Sequence, residues 1–245
     1  MKAVIYERYG PSEVLQFTKV PKPTPKPNEV LVKVHATTVT IGDVIMRSFK
    51  LPTPRWQWLF ARLYLGIWQP RRKILGMELA GEIESVGNGV TQFRPGDQVF
   101  ASTFSVNFGG YAEYKCFPET GMLVIKPANL SYREAAALPG GGMTALRCLR
   151  KAQIHPGQRV LIYGASGAVG TNAVQLAKHF GAVVTGVSGP TNLALVKSLG
   201  ADQVLDYTQE AFAHHNETYD VVFDAVGKLA RHRAPSTLTS GQDLT

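Results

Sequence analysis

Two cysteines in 245 residues are too few for a disulfide framework. Cys116 and Cys148 stand 32 positions apart, without a CxxC or a Cys/His pairing, and read as free thiols of a reducing compartment. Long apolar runs are also missing. None approaches the ~20 residues of a membrane span, and MKAVIYERYG, with four apolar residues before Glu7 and Arg8, is too short for a secretory core. These absences lead us to expect a cytoplasmic protein. Acid is the scarcer charge, 18 Asp+Glu against 26 Lys+Arg, and the net +8 favours anionic ligands such as nucleotides, nucleic acid or a lipid surface. The basic residues are scattered, however. Their tightest cluster is Arg71-Arg72-Lys73, and no basic stripe is interleaved with aromatics, so no specific nucleic-acid partner is expected. A hydrophobic content of 44% with 18% charge excludes a disordered chain, and the length suits two domains.

What is present centres on Arg159–Ala182, RVLIYGASGAVGTNAVQLAKHFGA. Val160 to Tyr163 is a short run of strand formers. Gly164, Ala165, Ser166, Gly167, Ala168, Val169 and Gly170 are mostly small, which lets a backbone come close to a ligand. From Thr171 to Phe180 the apolar residues recur at helical spacing, and Gly181 sits where that helix would stop. A strand, a glycine turn and a helix together are the context of a dinucleotide site, because the turn delivers a pyrophosphate to the helix N-terminus. Ala165 departs from the glycine pattern, which alters the turn without excluding the ligand so long as its φ stays negative.

Before this region the grammar is that of a β domain. Lys2–Tyr6 and Val30–Val34 read as strands joined through the exposed connector PKPTPKP. His35 prolongs the second strand and reads as a structural histidine more readily than as a ligand. Trp56, Leu59, Phe60, Leu63, Tyr64 and Ile67 recur at helical spacing, interrupted by Arg62. That helix can pack on its domain, wall a planar apolar substrate through Tyr64, or lie on a membrane beside Arg71, Arg72 and Lys73. Glycine-punctuated strands continue to about Lys126. Ser131-x-x-Glu134 then opens a helix as a capping box, a second helix is expected over Thr144–Ala152, and strands alternate with helices at 160–163, 183–187, 203–207 and 220–226.

Val4-Ile5, Gly76-x-Glu78-x-x-Gly81, Pro95-Gly96-Asp97-x-Val99, Gly110-x-Ala112-Glu113-Tyr114, the 164–170 turn and Gly200-Ala201-Asp202 occur in one order. Together, over roughly residues 1–230, they closely resemble the medium-chain dehydrogenase/reductase superfamily, in its zinc-free quinone-oxidoreductase (zeta-crystallin-like) branch. The resemblance implies an α/β protein: a GroES-like, mostly-β domain over 1–126 and a doubly wound Rossmann domain over 127–230, with the active site between them. Residues 231–245 are expected to be a polar tail.

The resemblance also implies site residues. Thr40 and Met77 stand where zinc enzymes of the superfamily carry Cys and His, and no Cys or His lies near Pro139 for the third ligand, so no metal is expected. Without a metal, hydride addition is easiest to a quinone or an α,β-unsaturated carbonyl, whose charge delocalises into a phenolate or enolate. Thr40 is the catalytic candidate. Its hydroxyl can donate to a substrate oxygen or bond locally at the strand end, and Met77 and Tyr64 are the pocket candidates. For the coenzyme, Val187-Ser188-Gly189-Pro190 offers no acid for a ribose 2′-OH, which favours NADPH with NADH as the alternative. Ser188 and Tyr207 match positions that contact the 2′-phosphate, Asn192 stands in place of the family's Lys, and Thr144 and Gly227 border the nicotinamide end.

The sheet of the family continues for two more strands beyond 220–226. The sequence therefore leads us to expect an incomplete Rossmann domain with an unpaired fourth strand, impaired stability and a questionable family-type homodimer. A second reading follows from this and from the net charge: a catalytically impaired form that binds a nucleotide, a membrane or nucleic acid.

Overall fold

The computed structural model describes residues 1–51, 54–209, 217–227 and 238–244, the last stretch and Arg55 in backbone only. It divides into two compact units, Met1–Pro139 and Gly140–Thr245.

In the first unit β1 (Lys2–Tyr6) pairs antiparallel with β2 (Leu15–Lys19). β3 (Glu29–Thr37) leads into α1 (Ile41–Ser48) and α2 (Trp58–Leu65), and β4 (Glu78–Val86), β5 (Gln98–Ser102), β6 (Tyr114–Pro118) and β7 (Leu123–Ile125) follow. The last four form with β3 an antiparallel sheet in the order β6-β3-β4-β5-β7. Alternation along these strands turns Val30, Val32, Leu79, Ile83, Val99 and Phe117 inward, where all are fully buried.

α3 (Tyr132–Ala136) opens at the expected capping box: the Ser131 hydroxyl accepts from the Glu134 N–H, and Glu134 accepts from the Ser131 N–H. Its Ala135 and Ala136 are buried against Ala80 of β4. That packing keeps residues 127–139 with the first unit, so the unit boundary lies 13 residues beyond the expected 126/127 division.

The second unit begins in α4 (Pro139–Lys151), which starts five residues ahead of the expected Thr144. β8 (Arg159–Tyr163), α5 (Ala168–His179), β9 (Val183–Ser188), α6 (Leu193–Ser198), β10 (Gln203–Asp206) and β11 (Tyr219–Asp224) agree with the expected alternation. The helix implied between β10 and β11 falls on 210–216, outside the described residues. The sheet is parallel, in the order β10-β9-β8-β11-β12, where β12 is Leu238–Leu244. In chain order of the strands this is 3-2-1-4-5, the doubly wound arrangement.

β12 corrects one expectation. Residues 238–244, read as part of a structureless tail, pair in parallel with β11, so that strand is not an edge. LTSGQDL has no apolar alternation to announce a strand. Its pairing is a matter of backbone groups offered by β11, which no periodicity records. Residues 231–237 and Thr245 lie outside the described residues. Among those described, no helix is long and apolar enough to cross a membrane.

Candidate functional site

The coenzyme cradle grows from the end of β8. Gly164 adopts a left-handed φ of +78° and Ala165 does not, so the turn takes its positive φ at a glycine and tolerates the methyl of Ala165, which is fully buried. The Gly164 and Ala165 N–H groups both donate to Val187 O, tying the turn to β9 (3.0 and 2.9 Å).

Gly167 then caps α5 without any side-chain cap. Its own N–H donates to Gly164 O, and the first intrahelical bond runs from Thr171 N–H to Gly167 O. The N–H groups of Ala168, Val169 and Gly170 are thus left without helical acceptors at the positive end of a 12-residue helix. Gly170 brings the helix against the turn: a Cβ there would stand 2.1 Å from Gly164 O and 2.7 Å from Ala165 Cα. On the other face of α5, Ala173, Val174 and Ala177 are fully buried on the sheet, and Val174 alone contributes about 2 kcal/mol of apolar burial. The helix is thereby rigidly aimed. Donors, dipole and room for a close backbone approach fit a pyrophosphate.

One further turn and the start of α4 complete this face of the second unit. Asp224 closes β11 by accepting from the Val226 and Gly227 N–H groups, both at 2.9 Å, and Gly227 takes φ +71°. Val226 overhangs the first turn, so that a Cβ on Gly164 would meet its Cγ2 at 2.4 Å. Thr144 is exposed on α4, and its hydroxyl donates to Gly140 O at 2.7 Å.

The carboxyl ends of β9 and β10 hold the remaining coenzyme candidates. Ser188 and Asp206 are register partners. Ser188 is almost fully buried and its hydroxyl donates to Gly189 O (3.3 Å). Tyr207 is more than half exposed, with its hydroxyl end near Gly189. Asn192 follows at the start of α6, its N–H bonded to Gly189 O. All three candidates thus gather around Gly189. Asp206 escaped the sequence reading. It is buried, its Oδ1 accepts from the Thr208 N–H and hydroxyl, and its Oδ2 has no partner.

In the first unit Thr40 caps α1. Its hydroxyl accepts from the Asp43 N–H (3.2 Å) and donates to Asp43 Oδ2 (2.7 Å), while the Thr40 N–H also donates to that oxygen. In this arrangement the hydroxyl bonds locally, to a buried carboxylate. Asp43, missed as a functional residue, organises this corner. Only 3% exposed, it also accepts from the Gly76 N–H at 2.9 Å and so joins α1 to the chain entering β4. Burial, then the Asp43 charge, pushes the Tyr111 phenol well above its ordinary value. The Thr40–x–x–Asp43 spacing of a capping box was the legible signal.

Met77 lies beside Thr40, with its sulfur 3.6 Å from the hydroxyl, over Gly42, where a Cβ would meet it at 2.5 Å. Thr40 and Met77 are brought together as expected. Tyr64 is not: it stands on the outer face of α2, its hydroxyl accepts from Arg72, and no hydrogen bond or ring contact among the described residues joins it to the pair. His35 is exposed and stacked on Tyr132 at 4.5 Å, a structural placement.

Comparison with known proteins bears on both units. Residues 26–128 match the family described as "Alcohol dehydrogenase GroES-like domain", and residues 168–244 the one described as "Zinc-binding dehydrogenase". The chain is 36% identical over 237 residues to a 2-methylene-furan-3-one reductase of Solanum lycopersicum, covering 93% of the chain and 58% of the relative. It is 34% identical over 236 residues to an NADPH-dependent alkenal/one oxidoreductase of Arabidopsis thaliana, again 93% and 58%. With a chloroplast envelope quinone oxidoreductase homolog of the same plant the identity is 36% over 241 residues, 92% and 67%. The chain thus spans a little over half the length of the first two relatives. Among solved structures, the quinone oxidoreductase of Coxiella burnetii superposes with a TM-score of 0.81 at 33% identity, covering 93% of the chain and 69% of that structure. The Escherichia coli quinone oxidoreductase complexed with NADPH gives 0.81 at 28%, covering 97% and 70%.

Proposed function

This chain belongs to the medium-chain dehydrogenase/reductase superfamily, in its quinone-oxidoreductase branch, and from that premise we propose that it serves NADPH-dependent reduction of quinones and α,β-unsaturated carbonyls. The observation that carries the reading is the cradle at Gly164–Gly170, where uncapped N–H groups of α5 meet a turn too tight for any side chain at Gly170. The coenzyme, when bound, supplies the hydride that reduces the acceptor carbon, and a proton from solvent completes the reduction.

The chain's own part is to hold and orient. Ala168, Val169 and Gly170 offer their N–H groups to the pyrophosphate, and the Asp224–Gly227 turn with Thr144 borders the nicotinamide end. Tyr207, Asn192 and Ser188 gather around Gly189, which supports them as contacts of a 2′-phosphate. No cation stands among them and Asp206 is a buried acid in register with Ser188, so the preference for NADPH over NADH is small. Thr40 acts by capping α1 rather than by donating to the substrate. With a hydroxyl and a thioether at positions 40 and 77, conjugated acceptors are favoured, since their developing charge spreads over the acceptor itself.

Oxidation of NADPH followed at 340 nm against a panel of quinones and enones tests the reading. Turnover with either class is expected. Tight NADPH binding with no turnover on any acceptor would leave a nucleotide-binding protein instead.

A further inference from the structure

α2 is amphipathic the wrong way round. Its inner side carries Arg62, whose guanidinium lies 4.1 Å from the centre of the Phe49 ring and 4.7 Å from that of Tyr9, and donates to Ile67 O at 2.7 Å. The Tyr9 hydroxyl donates to Leu65 O and Gly66 O, and Trp58 packs edge-on against buried Phe49. These contacts fix the rotation of the helix, and they turn its large apolar side chains outward. Leu59, Phe60, Leu63 and Tyr64 of the helix, with Trp56 just before it and Trp68 just after it, are each between 51 and 88% exposed. A water-facing helix would carry its charge outside, and one contiguous stretch of this size marks a contact surface rather than scattered exposure.

The charge of the neighbouring chain says what that surface meets. Between Asp43 and Glu78 the sequence holds seven Lys or Arg residues and no acid, which is +7 of the chain's net +8. Lys50 and Arg71 are exposed at either end of the segment, and Arg72 stacks on Tyr64 while donating to its hydroxyl. Tryptophans at both ends of an apolar face, ringed by cations, match the boundary between anionic headgroups and acyl chains. An eight-residue helix cannot span that layer, but it can lie in it.

We propose that the outer face of α2, with Trp56 just before the helix and Trp68 just after it, lies in the interface of an anionic lipid bilayer, with Lys50, Arg71 and Arg72 at the headgroups. This holds the unit bearing Thr40 and Met77 at the surface where apolar quinones and enones dissolve. It does not depend on the reductase reading, since binding is measured without coenzyme or acceptor.

The test is co-sedimentation of the whole 245-residue chain with vesicles of phosphatidylglycerol and phosphatidylcholine, against pure phosphatidylcholine, together with tryptophan emission. Binding to the anionic vesicles with a blue shift is expected, weakening as salt rises. The double variant L59E/F60E, altered only on the outer face, is expected to keep its melting temperature and lose binding at least ten-fold. K50S/R71S removes two surface cations and is expected to lose roughly twenty-five-fold, about five-fold per charge. Absence of binding to anionic vesicles overturns the proposal, as does binding that L59E/F60E leaves intact. Light scattering that shows a dimer dissolved by L59E/F60E overturns it in favour of a second copy as the occupant.

Discussion

Gly170→Ala separates local propensity from tertiary geometry in one methyl group. Gly170 is the third residue of α5, and a Gly-to-Ala change in an exposed helix is worth about 1 kcal/mol in favour of alanine. Propensity alone therefore predicts a stabilised protein. In the fold the new Cβ would stand 2.1 Å from Gly164 O, 2.7 Å from Ala165 Cα and 2.9 Å from Ala165 C. All three neighbours are backbone, so no rotamer relieves the contact and the helix must move off the turn. Overpacking of this kind costs about 1–3 kcal/mol and more where the backbone cannot yield, so a net loss of about 2 kcal/mol is expected after the propensity gain. At this size the thermal midpoint falls by roughly 4–8 °C. The displaced N–H groups also miss the pyrophosphate, and NADPH affinity drops by a factor on the order of one hundred. Gly167→Ala is the matched control: its φ is −78° and its Cβ would meet Gly164 O at an ordinary 3.4 Å, so melting and affinity stay close to the parent's. Differential scanning fluorimetry and an NADPH fluorescence titration on both variants decide the matter. A G170A protein that melts higher and binds as before would refute the close-approach argument.

Three other outcomes follow from the same geometry. Asp43→Asn removes a buried carboxylate that accepts from two backbone N–H groups and one hydroxyl, and places an amide donor against them. Urea unfolding should show a loss of about 2–4 kcal/mol, and a change under 1 kcal/mol would remove Asp43 from the centre of that corner. Asn192→Lys adds the missing cation beside Gly189 and should raise the kcat/KM ratio of NADPH over NADH about ten-fold, whereas an unchanged ratio would move the 2′-phosphate elsewhere. For Asp202, partial burial raises the carboxyl, but the Lys178 ammonium and the Val184 N–H outweigh it and hold the group below its ordinary value. Its contribution to stability is accordingly present above the ordinary carboxylate pKa and lost as pH falls below it. Asp202→Asn should flatten the decline in melting temperature below about pH 4, and an unaltered slope would refute the assignment.

Much of the candidate coenzyme site is legible along the chain because it is local. Strand, turn and helix are contiguous from Arg159 to Gly181, and their chemistry lies in small residues at fixed offsets. The capping boxes at Thr40 and Ser131 are local in the same way. The burial of Ser188 is not legible in the same way, because it depends on the strands beside it. β12 was missed because a parallel strand can be specified by the backbone of its neighbour, with no pattern of its own.

The sequence by itself determined the alternation of strands and helices, the place of the candidate phosphate cradle and the residue types at positions 40 and 77. Only tertiary structure decided where individual side chains spend their hydrogen bonds and which way a helix turns. Helical spacing gathers Leu59, Phe60, Leu63 and Tyr64 on one face of α2 but cannot say whether that face looks inward. The choice was made by Phe49, Tyr9 and the carbonyl of Ile67, which hold Arg62 beneath the helix and leave the apolar face outside.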